Sequence, residues 1–227
     1  MKIVVINPNS SETMKNDVRR AAEAFADGRY EIEVVAPPEA PIFIDSYEDQ
    51  HDSIPGTMRI VKKMQDEADA FVLACHGDPG LDVLKEISRK PVVGIGEASM
   101  KLATMLGHKF SVLTTSRRSI GGKEAVINHY HLTDSMASVC APTKDDPADD
   151  EMEAAYLEAA HIAMERDNAE VLVLGCAGLV GLDEKLMEKV PVPVVDGVKC
   201  ALTLAEGFAR MHLTTSKIGR YYGKTNA

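Results

Sequence analysis

The chain has 227 residues, 45% of them hydrophobic, and a formal net charge of −10 at neutral pH. This length suffices for one large or two small domains with a buried core, and the acidic balance without a lysine or arginine cluster argues against nucleic acid as a partner. Because the N-terminal apolar run IVVI is too short for a signal peptide and no later run approaches a membrane span, we expect a cytoplasmic protein that binds a small molecule, not a membrane.

Short runs rich in β-branched residues alternate along the chain with longer stretches of helical periodicity. The predicted strands are 2–6, 31–36, 70–74, 91–95, 110–115, 171–175 and 191–197. Amphipathic stretches such as ETMKNDVRRAAEAFA and DEMEAAYLEAAHIAMER lie between them. Continuous apolar strands that alternate with helices predict an α/β fold in which helices cover both faces of a parallel sheet.

The sequence repeats itself at a spacing of about one hundred residues. Segments 69–98 and 169–198 share, in one order, a strand, a cysteine, a glycine, Leu-Asp, a helix, Pro-Val-Val and a glycine. Upstream of them, 2–11 and 109–118 each contain a lysine, an apolar strand and a small polar loop. The repeat predicts two equivalent halves, each with a polar loop and a cysteine loop at the carboxyl ends of its strands, where open parallel sheets bind ligands.

Two such halves that face each other would place Cys75 and Cys176 on opposite walls of one cleft, although tandem halves that lie apart would produce the same repeat. In a cleft, a thiolate and a thiol form a base and an acid. One can remove a proton from a carbon next to a carbonyl, and the other can return a proton to the opposite face, which inverts the stereocentre. The polar loops Asn7–Ser11 and Thr114–Ser116 would supply hydrogen-bond donors for the developing enolate. This scheme requires neither a metal ion nor another cofactor.

The chain resembles the Asp/Glu/hydantoin racemase superfamily, and within it the hydantoin and allantoin racemases. Six motifs carry the resemblance in order: INPNSS (6–11), ACHGDPGL (74–81), GIGEASM (94–100), FSVLTT (110–115), LGCAGL (174–179) and PVVDGV (193–198). The resemblance implies cofactor-independent racemisation with Cys75 and Cys176 as the paired acid and base. The residues it places around the substrate are Asn7, Ser10, Gly77, Thr114, Thr115, Ala177 and Gly178.

The resemblance also implies two pseudo-symmetric, Rossmann-like (flavodoxin-like) domains with parallel sheets and an active site in the cleft between them. Their expected bounds are 1–97 together with 198–227, where a C-terminal helix returns to the first domain, and 98–197. Members of the superfamily usually assemble into homo-oligomers, so we expect one here.

Several residues depart from the family pattern or have simpler interpretations. His76 follows the first cysteine where these racemases commonly have phenylalanine, so it either meets the substrate or faces away from it. Cys140 and Cys200 lack a glycine-rich loop and are expected to be buried packing residues. Asp78 and Asp183 are expected to cap the helices that follow the two cysteine loops, and orientation of a substrate N–H is an alternative role for Asp78.

Other functions remain open from the sequence. The alternatives are an aspartate or glutamate racemase, a decarboxylase or isomerase of the same superfamily, and a non-catalytic ligand-binding relative. Two cysteines argue against a decarboxylase, which needs only one. The segment NHYH (128–131) is not expected to bind a metal ion, because its two histidines do not share a helix face.

Overall fold

A computed structural model describes residues 1–145 and 147–223. They form two compact units, one made of Met1–Ile95 and the described residues from Ala201 onward, and the other of the described residues of Gly96–Cys200. Each unit contains a four-stranded parallel sheet with helices, so the α/β fold class predicted from the sequence is confirmed.

The helices and strands follow one another in the same alternation in both units. In the first unit they are β1 (Lys2–Ile6), α1 (Glu12–Ala26), β2 (Glu31–Val35), α2 (Tyr47–Met64), β3 (Ala70–Leu73), α3 (Leu81–Ile87) and β4 (Val92–Gly94). From the unit boundary onward they are α4 (Ile95–Leu106), β5 (Phe110–Leu113), α5 (Ile120–His129), β6 (Met136–Cys140), α6 (Met152–Glu165), β7 (Val171–Leu174), α7 (Leu182–Met187) and β8 (Val194–Val195). The last helix, α8 (Gly197–Arg210), begins in the second unit and continues in the first.

The two sheets have the same strand order, β2-β1-β3-β4 and β6-β5-β7-β8. In the first sheet Ile6 at the end of β1 pairs with Leu73 at the end of β3, and in the second sheet Leu113 of β5 pairs with Leu174 of β7. Strand order reverses at these central pairs, and such a reversal opens a crevice at the carboxyl ends of the strands. The carboxyl ends of the central strands are therefore equivalent positions in the two units.

Helices cover both faces of the second sheet, and β7 shows how its sequence produces this. Successive side chains of a strand point to opposite faces. Leu172 and Leu174 pack in a cluster with Tyr156 of α6 and Leu186 of α7. Val171 and Val173 pack on the other side, in a cluster that contains Met100 of α4 and Ile127 of α5. The continuous apolar run of β7 thus supplies both layers of the core.

The sequence of α1 contains a capping residue and an apolar face, which are features that favour a helix. The side chain of Ser11, the N-cap residue of α1, accepts a hydrogen bond from the N–H of Met14. Val18, Ala22 and Ala26 are buried at a spacing of four residues, so one face of the helix packs inward. The helix begins directly after the first polar loop and so fixes where that loop ends.

The sequence prediction of seven strands was incomplete, because β6 was missed. Its segment MASVC contains a single β-branched residue, Val139, and it lies at the edge of the second sheet beside β5. The last predicted strand, 191–197, was too long, since only Val194–Val195 forms β8. Within the described ranges, no helix is long and apolar enough to cross a membrane.

Candidate active site

Each unit brings its polar loop and its cysteine loop side by side. In the first unit the N–H of Ala74 donates to the carbonyl of Ile6 at 2.8 Å, which joins the ends of β3 and β1. In the second unit the N–H of Gly175 donates to the carbonyl of Leu113, also at 2.8 Å. The residues that follow these bonds are Cys75 and Asn7 in the first unit and Cys176 and Thr114 in the second. The sequence-predicted site residues of each half are therefore neighbours within that half.

The two cysteine loops show the same alternation of exposure. The solvent-accessible positions are Cys75, Gly77, Cys176 and Gly178, and the buried positions are His76, Asp78, Ala177 and Leu179. Adjacent residues of an extended segment point to opposite sides, and Cys176 has extended backbone angles, φ −149° and ψ 142°. Each loop therefore exposes its sulfur together with the glycine two residues on.

The main chain passes close to the sulfur atom of each cysteine loop. The N–H of Gly178 donates to Sγ of Cys176 at 3.4 Å. In the first unit, a β-carbon placed on Gly77 would lie 3.9 Å from Sγ of Cys75, so this backbone also passes close to the sulfur. A backbone N–H directed at sulfur stabilises a thiolate more than a thiol. The glycine two residues after each cysteine thus brings the main chain near the sulfur.

The first polar loop is organised from within by asparagine side chains. Asn7 is wholly buried, and its Nδ2 donates to Oδ1 of Asn9 at 2.8 Å and to the carbonyl of Asn9 at 3.2 Å. Oδ1 of Asn9 also accepts the N–H of Ser11 at 3.0 Å. Ser10 is partly exposed, and its N–H donates to the carbonyl of Pro41 at 2.9 Å. Asn7 therefore shapes the loop, whereas Ser10 has surface that a substrate could reach.

The second polar loop has the same division of roles. Thr114 is wholly buried, and its hydroxyl hydrogen-bonds to that of Ser119 at 2.7 Å. Ser119 in turn donates to the carbonyl of Ser116, also at 2.7 Å. Thr115 is partly exposed. The residue directly after the strand thus fixes the loop in both units, and a later residue faces solvent.

The structure shows where the histidine and the aspartates of the cysteine loops lie. His76 is buried, which agrees with the alternative that it faces away from the accessible side. The prediction that Asp78 and Asp183 cap the following helices was wrong. Both α3 and α7 begin after a left-handed glycine, Gly80 (φ 70°) and Gly181 (φ 81°), and neither helix has a side-chain cap. Only glycine adopts this conformation without strain, so the backbone itself turns each loop into its helix.

The carboxyl group of Asp78 occupies a different place, beside the end of β4. A β-carbon on Gly94 would overlap this carboxyl group and lie close to the side chain of Leu81, so a larger residue at 94 would require these side chains to move. The glycine of the PVVGI segment is therefore explained by a close approach and not by a turn.

The two other cysteines lie in the core. Burial raises the pKa of the Cys140 thiol. Burial, together with the nearby carboxyl groups of Asp196 and Asp183, raises the pKa of the Cys200 thiol to about 12. Neither side chain forms a thiolate at neutral pH, which agrees with their predicted packing role. None of the described cysteines forms a disulfide bond.

One feature near the first polar loop was not found from the sequence. Ile42 and Phe43 follow Pro41, whose carbonyl binds the N–H of Ser10, and their side chains are 63% and 58% exposed. The loop after β2 thus presents two large exposed apolar residues one and two positions after the carbonyl that binds Ser10. The sequence PIFIDS gave no sign of this exposure, because an apolar run next to a strand ordinarily predicts burial.

Comparison with known proteins adds independent information. A family model described as Asp/Glu/hydantoin racemase matches residues 3–205. The chain is 38% identical to a hydantoin racemase from Pseudomonas sp. (strain NS671) in a match that covers 97% of this chain and 91% of that protein. Among solved structures, it is similar to an allantoin racemase from Klebsiella pneumoniae, with a TM-score of 0.91, 30% identity and coverage of 97% and 92%. For an allantoin racemase from Pseudomonas fluorescens the TM-score is 0.88, with 35% identity and coverage of 97% and 96%.

These matches extend over nearly the whole chain and include the strands, both cysteine loops and both polar loops. The motif-based resemblance is thereby confirmed at the level of the family. The chain belongs to the Asp/Glu/hydantoin racemase family of enzymes.

Proposed function

We propose that the protein inverts C5 of a hydantoin-type ring, with Cys75 and Cys176 as the acid and base. The observation that carries this proposal is the equivalence of the two thiols. Each lies two residues after the end of the third strand of its unit's sheet, each is accessible together with the glycine two residues on, and the other two cysteines are buried. A relative named hydantoin racemase and structural neighbours named allantoin racemase support the ring class.

In the proposed reaction the two sulfur atoms are the proton acceptor and the proton donor. One thiolate takes the C5 proton, so that a C–H bond breaks, an S–H bond forms and the electron pair moves into the neighbouring carbonyl as an enolate. The second thiol then donates its proton to the opposite face of C5, and its sulfur becomes the thiolate. The two sulfurs have then exchanged roles, so the enzyme is set for the reverse reaction, and proton exchange of both sulfurs with water restores the form that acts on the first enantiomer. No metal ion or other cofactor takes part in this scheme.

The proposed substrate surroundings comprise residues with two kinds of role. Partly exposed Ser10, Thr115 and Gly77, together with exposed Gly178, supply direct contacts to the ring. The buried members, which are Asn7, Thr114, His76 and Ala177, hold the shape of the loops that carry those contacts. Oδ1 of Asn7 is buried without a hydrogen-bond partner among the described residues, so the first polar loop contains an acceptor that the loop itself does not use.

The substituent on C5 is proposed to be apolar. Ile42 and Phe43 lie exposed beside the first polar loop, and large exposed apolar side chains near a binding loop favour an apolar ligand group. A polar substituent, such as the ureido group of allantoin, would gain less from this surface.

Chiral chromatography of wild type and single-cysteine variants tests the proposal. The substrates are both enantiomers of 5-benzylhydantoin and of allantoin, with L-aspartate and L-glutamate as amino-acid alternatives. We expect wild type to racemise the hydantoins, and Cys75→Ser and Cys176→Ser each to lower kcat by about 10³-fold, since each removes one proton-transfer group.

The matched control is Cys200→Ala, which alters a buried thiol and should retain the wild-type rate. Full racemisation by either serine variant would remove that cysteine from the mechanism. Racemisation of aspartate or glutamate in place of the hydantoins would replace the proposed ring substrate with an amino acid.

A further inference from the structure

The helix after each cysteine loop begins with the same pair of residues. Leu81 and Asp82 open α3, and Leu182 and Asp183 open α7. The leucines are buried in their units. Neither aspartate caps its helix, so the repetition of aspartate at this position needs another explanation.

Asp82 is held by the C-terminal segment 214–223, which we call the strap. Nη2 of Arg220 donates to Oδ2 of Asp82 at 2.7 Å, and the hydroxyl of Tyr221 donates to Oδ1 at 2.9 Å. An isolated exposed ion pair contributes little to stability. Here, however, two donors from consecutive residues occupy both oxygens of one carboxylate, which fixes its orientation as well as its charge.

The strap also forms hydrogen bonds with the last turn of α3. Nζ of Lys217 donates to the carbonyl oxygens of Lys85 and of Glu86, the latter at 2.9 Å. These carbonyls lie in the last turn of the helix, where backbone acceptors lack partners within the helix and where a positive charge is favourable. The strap therefore binds α3 at its first and last turns.

Asp183 is held in the second unit by a residue from a different element. Nζ of Lys199, in the first turn of α8, donates to Oδ2 of Asp183 at 2.8 Å and to Oε1 of Glu184 at 2.7 Å. The side chain of Asp183 is only 5% exposed, and its Oδ1 has no hydrogen-bond partner among the described residues. Burial lowers the pKa of Lys199, but hydrogen bonds to Asp183 and Glu184 outweigh this and raise it overall. The lysine therefore remains charged beside the aspartate.

Backbone hydrogen bonds shape the short segments between the cysteines and these helix starts. In the first unit the N–H of Asp78 donates to the carbonyl of Cys75 at 2.9 Å, and the N–H of Leu81 donates to the carbonyl of Asp78 at 3.1 Å. In the second unit the N–H of Leu179 donates to the carbonyl of Cys176 at 3.2 Å. In the first unit these two successive bonds join the start of α3 to Cys75, so a displacement of the first helical turn is transmitted to the cysteine. In the second unit the bonded turn at Cys176 continues into α7 through the main chain of Val180 and Gly181.

We infer that Asp82 and Asp183 are positioning residues that lock the two cysteine loops independently, one through Arg220 and Tyr221 of the strap and the other through Lys199. The two halves use the same aspartate but recruit its partners from unrelated parts of the chain. The catalytic meaning of this lock rests on the proposed function of the two thiols. The claim that these contacts hold the two cysteine loops rigid does not rest on that proposed function.

Hydrogen exchange followed by mass spectrometry separates the two locks. The strap variant is Arg220→Met/Tyr221→Phe, and the second-unit variant is Lys199→Met. We expect the strap variant to speed exchange of the amides in 76–87 by about fivefold and to leave 177–188 unchanged, with the reverse for Lys199→Met. The control is Arg20→Met, which removes an exposed ion pair with Asp17 on α1 and should alter neither segment.

Because Lys199→Met leaves a buried carboxylate without its cation, Asp183→Asn/Lys199→Met serves as a second variant if the first does not fold. Faster exchange in both segments with either variant, or in neither, would overturn the inference.

Kinetics distinguish positioning from general stability. With a hydantoin that wild type racemises, each lock variant should lower kcat about fivefold with KM within about twofold, and Arg220→Lys/Tyr221→Phe and Lys199→Arg should recover most of the loss. An unchanged kcat despite faster exchange would overturn the positioning role. If wild type racemises no hydantoin, the proposed function fails, whereas the exchange result still decides whether the locks exist.

Discussion

At the scale of single residues, the chain places one chemical group in two contrasting environments. Cys75 and Cys176 are accessible and lie two residues after their strands, while Cys140 and Cys200 are buried and have raised thiol pKa values. A thiolate is stabilised by nearby N–H groups and penalised by apolar surroundings. The difference between the two accessible cysteines, which we propose as the acid and base, and the two buried ones thus depends on the loop that follows each one, and the glycine-containing loop was visible in the sequence.

Other residue roles could not be read from the sequence. Asn7 and Thr114 were predicted as substrate contacts, but both are wholly buried and hydrogen-bond within their own loops. A polar residue after a strand serves equally well as a ligand contact or as a loop support, and only burial separates the two roles. Their part around the substrate remains a prediction.

Phe43 allows a residue-scale prediction about specificity. We expect Phe43→Ala to lower kcat/KM for 5-benzylhydantoin about tenfold, because about 1.4 kcal/mol of apolar contact with the benzyl group is lost. The value for 5-methylhydantoin should change less than twofold, since a methyl group is too small to use that contact. Steady-state kinetics of both substrates check this. An equal loss for both substrates would show that Phe43 does not contact the substituent.

At the scale of elements, the end of α6 carries a charge network that makes stability depend on pH. Nε and Nη2 of Arg166 bind the two oxygens of Asp167 at 2.7 and 2.8 Å, and Sγ of Cys140 donates to Oδ2 at 3.5 Å. The hydrogen bond from Arg166, with smaller help from Ser138 and Cys140, lowers the pKa of Asp167 to about 2. Since the folded pKa lies below the ordinary value, this stabilisation is present above about pH 4 and is lost as the pH falls toward 2.

Asp167→Asn should therefore lower the free energy of unfolding at neutral pH by about 1–2 kcal/mol, and the difference from wild type should shrink as the pH falls below 4. Urea denaturation of both proteins between about pH 3 and pH 7 measures this. A difference that stays constant across that range would mean that ionisation of Asp167 does not contribute to stability.

The elements also show where sequence patterns succeed and where they fail. Runs such as KIVVI and VLVLG contain consecutive β-branched or leucine residues and predicted β1 and β7 within one residue. MASVC lacks this pattern because an edge strand needs less apolar surface, so β6 was missed. Gly80 and Gly181 start their helices through backbone conformation alone, which cap-residue rules based on side chains do not detect.

At the scale of the whole molecule, the internal repeat was the most informative feature of the sequence. It predicted two α/β halves, and the two sheets indeed share one strand order. The repeat did not predict how the halves differ. Asp82 and Asp183 are equivalent in sequence, yet Arg220 binds one and Lys199 binds the other, and these partners lie outside any shared motif. Partners that come from distant parts of a chain become visible only in the folded structure.

The central claim, that two monoprotic thiols act on the two faces of one carbon, is tested most directly by racemisation of a single hydantoin enantiomer in heavy water. We predict that, from the first turnovers, the inverted product carries deuterium at C5 while the remaining substrate carries almost none, because the proton returned to carbon comes from a different sulfur than the one that removed it. Deuterium that enters the remaining substrate as fast as the product, or product that retains the original proton, would show that a single base serves both faces and would contradict the account.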